Sequence, residues 1–188
     1  MCGRYNFSTD NPDEKMTALI SVMERKYPGE YKIGDIFPGD TAPVMIARGD
    51  KIVPVPGVFG FPGYQDGKLL INARGETAAE KKTFAESLRE RRAILPATGF
   101  YEWSSDKTKY LFTPDGANVF YLCGLYKIID GKYRFVILTR AANESMIEIH
   151  DRMPVIVEEH QVRAYLTDPA AASEIIANAA PMLTKRET

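Results

Sequence analysis

The sequence predicts one α+β domain over residues 1–188, with a mainly antiparallel, curled and barrel-like β-core and helices at its periphery. Three observations carry this: a Gly- and Pro-rich early region, three Asp-Gly pairs set between apolar runs, and a few short helical periodicities. Met16, Leu19, Ile20 and Met23 recur at helical spacing, with Asn11-Pro12-Asp13-Glu14 as a start signal and Pro28-Gly29 as a stop. A helix over roughly 12–27 follows. Residues 30–63 carry Pro38-Gly39, Pro43, Pro54, Pro56-Gly57 and Pro62-Gly63, which favours short strands and turns. Asp66-Gly67, Asp115-Gly116 and Asp130-Gly131 each suit a tight turn, and at least two antiparallel hairpins are expected around them. Between the first two lies an expected helix over roughly 77–91, opened by the capping-box pattern Thr77-Ala-Ala-Glu80 with Phe84 and Leu88 on its buried stripe. Shorter helices are expected at 143–148, 158–166 and 170–178.

The chain has 188 residues, 45% of them hydrophobic and 26% charged, enough for a core without disulfides or metal. Twenty-four Lys and Arg oppose 25 Asp and Glu, so a uniformly basic coat is excluded and any nucleic-acid site must be a local patch. The charge is uneven, which is read either as solvated helix faces or as such a patch. Residues 68–92 hold seven basic and four acidic side chains, whereas 143–175 hold two basic and seven acidic ones. Two cysteines, Cys2 and Cys123, make no disulfide framework. With no basic-then-apolar leader and no run near the ~18 apolar residues of a membrane span, a cytoplasmic, membrane-free monomer is expected, and the sequons at Asn6 and Asn143 are expected to stay idle.

Four residues carry the chemistry the sequence offers. Cys2 is either a terminal thiol packed on the sheet or, once Met1 is removed, a residue bearing both a thiol and an α-amine of pKa about 7.7–8.0. A 1,2-aminothiol condenses with aldehydes: the amine forms a Schiff base and the sulfur closes on its carbon to give a thiazolidine. Glu102, in Gly99-Phe100-Tyr101-Glu102-Trp103, shares a strand face with Phe100; it is a surface acid or a desolvated one suited to proton transfer. His150, in Ile149-His150-Asp151-Arg152-Met153-Pro154, is structural or an acid–base group. Asn72, in Ile71-Asn72-Ala73-Arg74, is a turn residue or a polar group aimed into a site.

Other signatures fail. Ser104-Ser-Asp-Lys107 lacks the companion motifs of its class. Gly-rich phosphate loops and H-E-x-x-H are absent, and Cys2, Cys123, His150 and His160 lack metal-ligand spacing, so neither metal nor cofactor is expected.

Taken in order, Met1-Cys2-Gly3-Arg4, Asn72-Ala73-Arg74 with Glu76-Thr77, Pro96 with Gly99-Phe100-Tyr101-Glu102-Trp103, and His150-Asp151-Arg152-Met153-Pro154 make the chain resemble the SRAP family of SOS-response-associated peptidases and abasic-site processing proteins. The resemblance spans nearly the whole chain. It implies single-stranded DNA containing abasic sites as partner and capture of the ring-opened aldehyde in a covalent crosslink. It also implies a peptidase label understood as removal of Met1 or processing of the crosslink. Cys2 then matches the nucleophile, Asn72 the residue holding its backbone or amine, Glu102 the proton-transfer group and His150 the group assisting ring opening. Arg4, Arg74 and Arg152 match DNA-contacting positions. Where the family carries Trp-Gly, this chain has Phe59-Gly60, and Phe59 is expected to offer a smaller stacking face. Two rivals stand beside this. An N-terminal-nucleophile amidohydrolase also begins Met-Cys-Gly, but its later motifs are missing here. A non-catalytic single-strand-binding module would leave no covalent product.

Overall fold

The computed structural model describes every residue of the chain except Met1, Asn11 and Asp13. Strand β1 (Arg4–Phe7) precedes helix α1 (Glu14–Lys26), then come β2 (Gly34–Ile36), β3 (Thr41–Arg48) and β4 (Lys51–Phe59). The short strands β5 (Phe61–Pro62), β6 (Leu69–Leu70) and β7 (Asn72–Arg74) lead to α2 (Ala85–Glu90). Five longer strands follow: β8 (Arg92–Ala97), β9 (Gly99–Trp103), β10 (Lys109–Pro114), β11 (Phe120–Ile129) and β12 (Lys132–Ala141). The chain ends with β13 (Arg152–Pro154), β14 (Ile156–Val157), a 3₁₀ turn at Glu159–Gln161, α3 (Val162–Thr167), α4 (Pro169–Ala177) and β15 (Leu183–Glu187).

Strands β12, β4, β3, β8 and β11 pair in that order, and β11 pairs again with β12, so this sheet closes into a ring. Closure leaves these strands without a free edge. All the ring pairings are antiparallel except β12–β4. A second, wholly antiparallel sheet runs β15-β10-β9-β1-β2. Alternation along the ring strands builds two cores. Phe135 and Ile137 of β12 join Tyr5, Phe7, Phe100 and Phe112 of the second sheet, while Val136 and Leu138 face the other way, toward Tyr165 and Leu166 of α3. That two-sided burial explains why β8 is buried at all six positions.

Several expectations are refined. Helix α1 falls inside its expected span; Asn11 and Asp13 of the start signal lie outside the described residues. The Pro-rich segment forms not short strands but the long β3–β4 hairpin. Pro43 faces Pro56 and Pro54 faces Met45, two residues apart and hence in the same class of antiparallel pair. All three prolines lie outside the stretches where β3 meets β8 and β4 meets β12, so their missing N–H groups break no second ladder. Asp130-Gly131, both at positive φ, makes the expected β11–β12 hairpin, and Asp66-Gly67 turns the small β5–β6 one. Asp115-Gly116 does not make a hairpin: it carries the chain from the second sheet into the ring, and β10 pairs instead with the distant β15.

The helix expected at 77–91 is confined to Ala85–Glu90, because Glu76 accepts hydrogen bonds from Ala141 N and from Arg152, which holds residues 75–80 in turns. Residues 144–149 are also turns rather than helix, fastened by Asn143, whose side chain accepts from the Ser145 hydroxyl at 2.6 Å and donates to Pro181 O at 2.9 Å.

Phe59 is 0% exposed and stacks on Phe135 with ring centroids 5.1 Å apart, so it presents no surface to a base. Its expected stacking role is corrected to a core role. Phe59→Ala should therefore lower unfolding free energy by about 3–5 kcal/mol in urea titrations, through lost burial and the cavity left behind.

Candidate active site

Strand β1 lies between β9 and β2, with Tyr5 opposite Phe100 and Ile36. Its Tyr5 and Phe7 side chains are buried between the two sheets and draw Cys2 into the same core, 1% exposed. The thiol is thus enclosed rather than placed on a mobile terminus, and its Sγ lies 3.8 Å from Arg4 O. Burial, followed by the nearby Glu102 carboxylate, raises the thiol's pKa well above the ordinary range, so the sulfur stays protonated and guarded from oxidation.

Asn72 opens β7, which runs parallel to β12 with Asn72 opposite Ile137. That register brings its Nδ2 to donate to Cys2 O at 3.1 Å, while its buried Oδ1 has no hydrogen-bond partner among the described residues. Glu102 sits on β9, opposite Tyr110 of β10, and is 3% exposed. Desolvation raises its pKa, and His150 acts in the opposite sense, which puts His150 within electrostatic reach of it. Asn72, Cys2, Glu102 and His150 therefore form one connected group drawn from four segments of the chain.

His150 is set by the turn that ends at β13. Its Nδ1 accepts from Arg152 N at 3.0 Å and lies 3.0 Å from Asp151 Oδ1. The first contact needs an unprotonated Nδ1 and the second a protonated one, so the two contacts belong to different protonation states of that nitrogen. Arg152 holds this turn against the 74–77 turn through a two-pronged bond to Glu76, at 2.7 and 2.8 Å. Its guanidinium is thereby occupied within the protein.

Around this group lie cations and aromatic rings. Arg4 stacks over Phe37, Trp103 and Tyr101, at 4.2, 4.9 and 5.7 Å from their centroids. Arg74 is exposed at the end of β7. One aromatic escaped the sequence reading. Tyr64, on the β5–β6 loop that leads into Asn72 and Arg74, is 89% exposed and its hydroxyl lies 2.8 Å from Thr83 Oγ1. An aromatic inside Pro-Gly-Tyr-Gln-Asp-Gly, a turn with no apolar periodicity to bury it, was the available signal. Among the described residues no three His, Cys, Asp or Glu side chains gather as metal ligands, and no helix is long and apolar enough to cross a membrane.

The family model for SOS response associated peptidase (SRAP) matches residues 1–187. Abasic site processing protein YedK of Escherichia coli (strain K12) is 30% identical over 95% of this chain and 86% of its own length. Abasic site processing protein YoqW of Bacillus subtilis (strain 168) is 40% identical over 90% of this chain and 83% of its own. A solved structure from Bordetella bronchiseptica superposes with a TM-score of 0.75 at 20% identity, covering 100% of this chain and 99% of the other. A phage-related protein of the same organism gives 0.75 at 22% identity, covering 100% and 94%. At such identities the two structures show a shared fold.

The Glu76–Arg152 bond makes a pH prediction. Hydrogen bonding to Arg152 lowers the Glu76 pKa from 4.5 to about 2. A depressed folded pKa contributes stability that is complete above the unfolded value and is lost as pH falls from about 4.5 through about 2. Glu76→Gln should therefore be less stable than the parent at pH 6 by about 0.2–1 kcal/mol, the range for partly exposed pairs, with the gap closing by pH 2. Urea titrations across that window check it.

Proposed function

The chain belongs to the SOS response associated peptidase (SRAP) family, and from that premise we propose that it captures abasic sites in single-stranded DNA through Cys2. The observation that carries this reading is the grouping of Asn72, Glu102 and His150 around Cys2: a nucleophile, an orienting amide, a buried acid and an imidazole at one point. The names of the curated relatives, abasic site processing proteins, supply the substrate class.

Removal of Met1 by hydrolysis frees the Cys2 amine, which as an amide has no usable lone pair. The ring-opened sugar offers an aldehyde. The amine adds to its carbon, and the resulting hydroxyl leaves as water when a proton is delivered to it. Glu102, whose pKa burial raises, gives that proton and so becomes a carboxylate. It then takes the proton from the Cys2 thiol as sulfur adds to the imine carbon. The balance is one aldehyde and one aminothiol converted to one thiazolidine and one water. Burial of the thiol orders the steps: the amine condenses first, and the sulfur closes intramolecularly. Asn72 holds the Cys2 carbonyl and so fixes the direction of the amine. His150, able to hold or release a proton, assists opening of the closed sugar. Arg4 and Arg74 meet phosphates, and Tyr64 takes the stacking role that Phe59 cannot.

The test starts from protein whose Met1 content is established by intact mass. Trimmed protein should give a denaturation-resistant adduct with uracil-excised single-stranded DNA, and homogeneous Met1-bearing protein should bind the same strand without one. Trimmed Cys2→Ala should leave only a labile Schiff base. An equally stable adduct from Met1-bearing protein would overturn the aminothiol mechanism. Glu102→Gln should slow adduct formation by about 10²–10⁴-fold, the usual contribution of a positioned proton-transfer group, with much less effect on strand binding.

A further inference from the structure

A groove on the acidic side of the molecule takes no part in the reaction. Its walls are the β10–β11 connection at 114–119, the stretch from β14 through the 3₁₀ turn at 156–161, and the segment 179–182 that leads into β15. It encloses about 580 Å³. The buried Phe120, Tyr121 and Val157 and the half-buried Val119 and Ile156 give it an apolar lining. A smaller pocket of about 210 Å³ adjoins it, sharing Val119, Tyr121 and Glu159 and reaching Met16 and Leu19 of α1. Neither space is bordered by Cys2, Asn72, Glu102 or His150.

The walls are already fastened. Asn143 Nδ2 donates to Pro181 O at 2.9 Å, Asp115 N donates to Met182 O at 3.3 Å, and Leu183 N donates to Ser145 Oγ at 3.1 Å. An occupant would find the groove formed, so little ordering of the protein opposes binding. Met182 is 45% exposed on one wall, a flexible thioether that can adapt to what lies against it. Charge then narrows the occupant. The larger space is lined by the exposed carboxylates Asp115, Glu158 and Glu159, and no Lys, Arg or His lines it among the described residues. His160 Nδ1 lies 3.2 Å from Glu158 Oε2. Arg163 borders only the smaller pocket, where its guanidinium donates to Asp50 O at 3.1 Å. Such a rim repels the phosphates of nucleic acid and of anionic lipid and attracts cations. No three of the described His, Cys, Asp or Glu side chains gather as metal ligands, and the apolar lining asks for carbon rather than a bare ion.

We propose that this groove docks an extended basic segment of a partner protein. One leucine- or phenylalanine-like side chain of the segment fills the smaller pocket, and its lysines or arginines face Asp115, Glu158 and Glu159. The proposal stands apart from the capture reading. Because the carboxylates keep nucleic acid off this face, the partner and a DNA strand are held at the same time.

Three pools of labelled decapeptides probe the groove by fluorescence anisotropy: lysine and arginine around a central leucine or phenylalanine, aspartate and glutamate around the same centre, and lysine and arginine around a central glycine. The first pool should bind the parent about tenfold more tightly than either of the others. Asp115→Asn/Glu158→Gln/Glu159→Gln should weaken that binding about tenfold, the order that three surface ion pairs supply together. A control, Glu30→Gln/Glu80→Gln/Glu90→Gln, removes three exposed carboxylates outside the groove and should bind as the parent does. Should the triple variant lose the parental melting temperature, the exposed single change Glu158→Gln replaces it, with an expected loss of about twofold. Saturating abasic single-stranded DNA should leave peptide affinity unchanged. No binding of the first pool up to about 1 mM, equal binding of the acidic pool, or an equal loss in the control would overturn the proposal. Dimerisation of the parent that the triple variant abolishes would also overturn it, by giving the groove to a second copy of the chain. Adduct formation is scored on the same preparations, so failure of the capture reading registers separately from the peptide result.

Discussion

Pairing of β1 with β9 on one side and β2 on the other places Cys2 inside the protein. A segment at the start of a chain ordinarily frays, since few contacts offset the entropy of ordering it. Here two ladders of main-chain hydrogen bonds and the burial of Tyr5 and Phe7 hold it. The amide of Asn72 adds a third tether at Cys2 O. The remaining site residues matter only because this one is fixed, and each arrives from a different part of the chain.

Burial then sets the electrostatics. The Glu102 carboxylate disfavours the charged form of the thiol, and desolvation acts in the same direction on both groups. Burial therefore favours the protonated form of both groups. His150 belongs to the same balance, since its positive form favours the Glu102 carboxylate. Its turn is fastened to the 74–77 turn by Glu76 and Arg152, so the imidazole and Asn72 are held by one polar link between β7 and β13.

Much of this was legible in the residues. The α+β class, helix α1, the β11–β12 hairpin and the four chemical groups follow from local pattern: apolar spacing, turn chemistry, and side chains whose reactivity is intrinsic. The misreadings share a cause as well. Thr77-Ala-Ala-Glu80 has a helix-start pattern, but Glu76 is bonded to residues 141 and 152, and that distant contact outweighs a local preference of about 1 kcal/mol. Asp115-Gly116 turns as its residues demand, yet the strands on its two sides belong to different sheets.

The sequence by itself determined which chemistry is possible: an aminothiol behind Met1, an acid among aromatics, an imidazole, an amide, and cations without a general positive coat. Only the tertiary structure decided which of these meet, because pairings such as β1 with β9 and β10 with β15 join residues about a hundred and about seventy positions apart. It also decided burial. Phe59 and Tyr64 are five residues apart and both aromatic, yet one is enclosed by Tyr5 and Phe135 and the other stands in solvent. Ring closure through β12 and β4 makes that difference, by turning the Phe59 face of β4 inward and leaving the β5–β6 loop outside the barrel.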